Sequence, residues 1–358
     1  MEFRRNNFDV TNTVDVTDPG AVLAAIEYIY LNLYPAADTS ILRKGMADIA
    51  ALYRGENPEY AACDTPYHDL QHILDVVLAS ARLMGGYERA QSKGSPLGSE
   101  LFLVGILSAM FHDTGYLRRC GSEENREGAE FTLTHVSRSA VLLKQYLQQA
   151  GLGRHAEDAA QLIHFTGYET PADCIATPSQ AYRIVGYIVA TADMLAQMAD
   201  RCYLEKCYDR LYREFLLGGI TRARDEQGNE QVVFSSPLDL VLKTPEFYKN
   251  AKKRMDNVLG GVYRYAADHF GGENLYLDAA EKNVRFVEYI SSHNADIGML
   301  QRSPPKTPGS LQSCPEAALR KLYVNDRRKR AGDRREKPSS LYPDFMDRRK
   351  NIVDRRKK

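Results

Sequence analysis

The chain has 358 residues, 44% hydrophobic and 26% charged, which is enough to bury a sizeable core and excludes a fibrous or wholly disordered composition. Its formal charge of zero conceals an asymmetry: residues 321–358 hold 15 Lys or Arg against 6 Asp or Glu, a net +9, leaving residues 1–320 at −9. The first residues lack the apolar centre of a signal peptide, and the longest apolar run, Leu101 to Phe111, is too short to span a bilayer, so a cytoplasmic protein is expected. The six cysteines form no Cys-x-x-Cys pair, which points to reduced structural thiols rather than disulfides or a cysteine zinc site.

In chain order, residues 1–17 are polar and expected to be flexible. Asp18-Pro19 offers a helix start, apolar spacing predicts a helix over 21–34, and Pro35 stops it. A second helix is predicted over 39–53, and a third from about 67 to 84, closed by Gly85-Gly86. Residues 99–111 are apolar on nearly every side and predict a fully buried helix. Further helices are predicted over 123–150, 154–165, 180–217, 244–270 and 277–292, with a loop or small hairpin over 221–234. Gly151-Leu152-Gly153 has dinucleotide-fingerprint spacing but follows a helix, so it reads as a helix-to-helix turn. The fold class is therefore all-α, one bundle-like domain over 18–295, followed by a basic tail over 296–358 whose composition is that of a disordered segment. Within the tail Asp-Arg-Arg recurs at Asp326, Asp333, Asp347 and Asp354. A solvated tail, or one that contacts nucleic acid, an anionic membrane or an acidic protein, fits that pattern.

Two stretches carry chemistry. In Tyr67-His68-Asp69-Leu70-Gln71-His72-Ile73-Leu74-Asp75-Val76, a helix would set His68 and His72 one turn apart, with Asp75 near the same stripe. Such a face suits a metal and a proton donor, and it equally suits a plain helix with two packed or solvated histidines. The second stretch, Met110-Phe111-His112-Asp113-Thr114-Gly115-Tyr116, ends the apolar helix with two polar side chains that are costly to bury without a partner. A metal would supply one, and Gly115 would permit the sharp exit that lets both side chains converge.

The order His72, then His112-Asp113, then a distal Asp resembles the ligand order of the HD superfamily of metal-dependent phosphohydrolases. More narrowly, residues 67–76 resemble the cyclic-nucleotide phosphodiesterase signature Tyr-His-Asn-x-x-His-Ala-x-Asp-Val, departing only at Asp69 for Asn and Ile73 for Ala. The chain also lacks the His-Pro-Gly that follows the His-Asp pair in animal enzymes of that family. The resemblance implies an HD-type helical bundle, and it implies that His72, His112, Asp113 and Asp193 ligate a metal, with Asp200 the alternative distal ligand. His135 and His164 match the two extra histidines of binuclear HD proteins and are implied to serve a second metal or the substrate phosphate. The resemblance assigns His68 as general acid. A mixed nitrogen and oxygen set suits Zn, Mn, Mg or Fe, and two divalent ions are expected. The expected activity is hydrolysis of a small-molecule phosphodiester such as a 3′,5′-cyclic nucleotide. The alternatives are a nucleotide phosphomonoesterase, a di-iron HD oxygenase and a non-catalytic HD signalling module.

Overall fold

The computed structural model describes residues 3–90, 95–225, 228–293 and 296–306. Cys314 and the Asp-Arg-Arg repeats lie outside the described residues, as does any tail contact resting on them. The chain is all-α, with one antiparallel hairpin among the described residues, β1 (Arg222–Arg224) and β2 (Glu230–Val232), where the sequence predicted a loop or hairpin.

The helices run α1 (Pro19–Leu33), α2 (Ser40–Arg54), α3 (Leu70–Ala90), α4 (Gly98–Phe111), α5 (His135–Gln149), α6 (Ala156–Ile163) and α7 (Gln180–Ala199). They continue with α8 (Tyr203–Lys206), α9 (Tyr212–Leu217), α10 (Pro237–Leu242), α11 (Thr244–Asn257), α12 (Tyr265–Phe270) and α13 (Leu275–Ser292). The starts follow local chemistry. Asp18 accepts the amide of Gly20 ahead of Pro19 to open α1, and Ser236 accepts the amide of Asp239 ahead of Pro237 to open α10. The centre of the core is α4, buried from Leu101 to Phe111 as its apolar pattern predicts, with α3 and α7 packed on it. Each large side chain so buried stabilises the fold by roughly 1.5–3 kcal/mol.

Several predicted boundaries give way to tertiary contacts. The third helix starts at Leu70 rather than 67 because the Asp69 carboxylate accepts the amide of His72 at 3.1 Å and caps it. It also runs through Gly85-Gly86 instead of ending there. A Cβ on Gly86 would stand 1.8 Å from the carbonyl oxygen of Tyr265, so this glycine permits close approach of α12 rather than a helix end. The helix predicted over 123–150 is a short 3₁₀ turn (Gly128–Phe131) followed by α5, with Glu127 and Glu130 capping the turn reciprocally. The segment predicted as one helix over 180–217 leaves helical geometry at Asp200, whose carbonyl accepts the side-chain amide of Asn283, and resumes through α8, a π-helical turn (Cys207–Leu211) and α9. The segment over 244–270 is divided at Gly260 and Gly261, with φ of 64° and 68°.

Both terminal expectations also change. Residues 3–17 are a fastened strap: Arg82 and Asp9 pair at 2.5 Å in the interior, Arg4 donates to the Ala199 carbonyl, and Arg201 donates to Asn6. At the other end, residues 296–306 lie on the body rather than beginning the tail. Arg302 donates to the Arg201 carbonyl and Asn283, and the Pro305 carbonyl accepts from Arg210. Buried polar groups on the body supply these anchors, and composition does not reveal them. No helix among the described residues is long and apolar enough to cross a membrane.

Candidate metal centre

Three elements meet at one buried point. Asp69, capping α3, places His72 in its first turn, and α4 delivers His112 at its end, where Asp113 leaves helical geometry. From α7 comes Asp193. The Nε2 of His72 stands 3.2 Å from Asp113 Oδ2 and 3.3 Å from Asp193 Oδ1, while His112 Nε2 stands 3.3 Å and 3.7 Å from the same two oxygens. Neither Nε2 makes a hydrogen bond, although both are buried. His72, His112 and Asp113 thus form a buried group that could hold a metal ion, and Asp193 faces it.

The donors are prepared for that task. His112 Nδ1 lies 2.8 Å from the Ala109 carbonyl and His135 Nδ1 2.7 Å from that of Thr132, which puts the proton on Nδ1 and leaves the Nε2 lone pair for a ligand. Burial lowers the His72 imidazole, but the carboxylates of Asp113 and Asp193 outweigh it and hold the group at about 9. Burial raises Asp113 and Asp193, and the adjoining histidines overcome it and drive both carboxyls well below the usual range. A divalent cation would take the place of the protons in this arrangement, so the residues fit the group.

His135 joins the edge of the cluster, its Nε2 3.5 Å from Asp113 Oδ1, the oxygen turned away from His72 and His112. Burial holds its imidazole below the ordinary value. The approach depends on Gly115, where a Cβ would lie 1.9 Å from the His135 carbonyl oxygen. Its role is therefore close packing of α5, not the sharp chain exit expected of it.

His68 lies outside α3, in the loop before the cap, yet its ring centroid is 5.6 Å from that of His72. Its Nδ1 meets Glu214 Oε2 at 2.5 Å, and the other oxygen of Glu214 accepts the amide of Tyr67, also at 2.5 Å. Tyr116 stacks on His68 at 4.6 Å and on His135 at 4.4 Å, fixing both ring planes. Glu214 was not foreseen. Its only signal in the sequence is an acid beside Arg213 in the otherwise apolar stretch 211–217, which names no partner.

The other expected residues part from the cluster. Asp200 caps the end of α7 and pairs with Lys206 at 2.5 Å, while Asp75 turns to a small cavity lined by Arg4 and Asp200. Burial first, and then Asp200, push the Asp75 carboxyl up to about 8. His164 ends α6 with its Nδ1 buried and unpartnered, and among the described residues it belongs neither to the cluster nor to the lining of the adjoining cleft. That cleft, of about 320 Å³, opens on His68, Asp113, His135 and Asp193. Comparison with family models, curated proteins and solved structures finds nothing that matches the chain.

Proposed function

We propose that the chain is a metal-dependent phosphohydrolase acting on a phosphodiester. One observation carries the reading: two orphaned imidazole nitrogens meet two carboxylates that line an open cleft, beside a histidine braced by a buried glutamate. The likeness of residues 67–76 to the phosphodiesterase signature supports the same reaction. His72, His112, Asp113 and Asp193 would hold one divalent cation, and His135 with the outer oxygen of Asp113 would contribute to a second. Such ions supply Lewis acidity toward the phosphoryl oxygens and an acidified water as nucleophile.

The remaining work falls to the chain itself. Glu214 accepts the Nδ1 proton of His68 and orients the ring so that, in its imidazolium form, Nε2 hands its proton to the departing alkoxide. Tyr116 holds that ring in plane, so the donor is positioned before substrate arrives. The surrounding apolar lining lowers the local dielectric and strengthens each of these interactions.

The test joins metal analysis to a phosphoester screen. Purified protein should contain a divalent metal and release alcohol from phosphodiesters. His68→Ala and Glu214→Gln should lower turnover by roughly 10²–10⁴ while metal content stays at the parental value. Full turnover in His68→Ala would remove it as the acid. Oxygen uptake by iron-loaded protein, with no ester cleaved, would overturn the hydrolase reading.

A further inference from the structure

The cleft, at about 320 Å³, is larger than a phosphoryl group requires, and its lining is of two kinds. Beyond the polar floor its wall is built by Leu211, Phe215, Ile220, Phe234, Leu240 and Phe247, with Phe215 and Phe234 stacked at 5.6 Å. These side chains come from the π-helical turn, α9, the flanks of the hairpin, α10 and α11, none of which is needed to place the metal donors. The apolar character reaches the exterior, where Leu133 is 57% and Tyr168 41% exposed at the mouth. A catalytic floor does not require such a track; an apolar substituent does.

Several polar groups along the wall are already engaged, and Tyr168, Glu169 and Thr244 complete its polar lining. Gln197 donates to the Asp193 carbonyl at 3.2 Å and accepts from the Tyr67 hydroxyl at 3.1 Å, so both ends of its amide are in use. Lys243 donates to the Val233 carbonyl and lies 3.3 Å from Asp239. The hydroxyls of Thr132 and Thr166 donate to the carbonyls of Ala129 and Ile163. A wall arranged in this way offers mainly shape and apolar surface, with the Glu169 carboxylate, among the described residues, its one charged group outside the floor and the Lys243–Asp239 pair.

Resting on the hydrolase reading, we infer that the organic group of the phosphoester is an extended apolar one, lying along Phe215, Phe234 and Phe247 and leaving past Leu133 and Tyr168. Burial of each methylene contributes about 0.8 kcal/mol, close to four-fold in affinity.

The test uses full-length protein loaded with Mn²⁺ and titrated calorimetrically with methyl-, butyl- and octylphosphonate, none of which can be hydrolysed. Affinity should rise roughly three- to four-fold per methylene until the chain reaches the mouth. Phe234→Ala should weaken octylphosphonate at least ten-fold and leave methylphosphonate unchanged. Leu133→Ser, at an exposed position that the fold tolerates, should weaken only the longest ligand. A flat series, or tighter binding of adenosine or guanosine monophosphate than of octylphosphonate, overturns the inference. Cleavage of methyl and octyl 4-nitrophenyl phosphodiesters separates it from the reading beneath. Equal kcat/KM for the two refutes the apolar group and keeps the hydrolase, whereas chain-dependent phosphonate binding with neither ester cleaved refutes the hydrolase and keeps the ligand class.

Discussion

Asp193 and Asp200 are seven residues apart near the end of the same helix, and spacing alone gives either the role of distal ligand. Their surroundings separate them. Asp193 faces two unpartnered imidazole nitrogens, whereas Asp200 is a helix cap neutralised by Lys206. Asp193→Ala is therefore expected to lose the proposed metal, measured by elemental analysis. Asp200→Asn should keep the metal and lose about 3–5 kcal/mol, because Lys206 would be left buried without its partner. The reverse pattern would exchange the two assignments. The capping residue of α3 matters at the same scale. Asp69 stands where the resembled signature has Asn, and either side chain can accept the amide of His72, so the substitution keeps the local geometry that aims that histidine.

At the scale of elements, periodicity revealed most helices, while their interruptions came from partners far along the chain. The break at Asp200 follows from Asn283, and the passage of α3 through Gly85-Gly86 follows from α12 packing on it. Neither partner can be inferred from the residues around the break. The C-terminal boundary is a third case. Arg210 donates to the Pro66 carbonyl beside His68 and also to that of Pro305, so residues 302–306 help to fasten the loop that carries the proposed acid. A chain ending at 306 should keep the parental Tm and turnover. One ending at 301 forfeits the bonds of Arg302 and Pro305, at roughly 0.5–1.5 kcal/mol each, and should lose both Tm and turnover. Equal behaviour of the two truncations would show that residues 302–306 have no such role.

At the scale of the whole molecule, the contact of α12 with α3 carries a pH dependence. Burial first, and then the cations Arg82 and Arg89, push the His269 imidazole down to about 3, and its Nδ1 is buried without a partner. The unfolded chain protonates this group near the ordinary value of about 6.5. Stability from His269 is therefore complete above about 6.5 and declines as pH falls toward the folded value, by at most about 1.4 kcal/mol per unit. His269→Leu should show a shallower loss of Tm between about pH 6.5 and pH 4.5. An unchanged slope would mean that other groups govern acid unfolding.

By itself the sequence determined the all-α class, the fully buried helix ending in His112-Asp113, and a donor chemistry of histidines and carboxylates, since apolar period and residue type are local properties. The tertiary structure decided which donors meet: it gathered Asp193 and His135 into the cluster, placed Asp200, Asp75 and His164 apart, and supplied Glu214 to His68. Those choices depend on side chains 20 to 150 residues apart converging through packing and close glycine contacts, and no local pattern encodes that convergence.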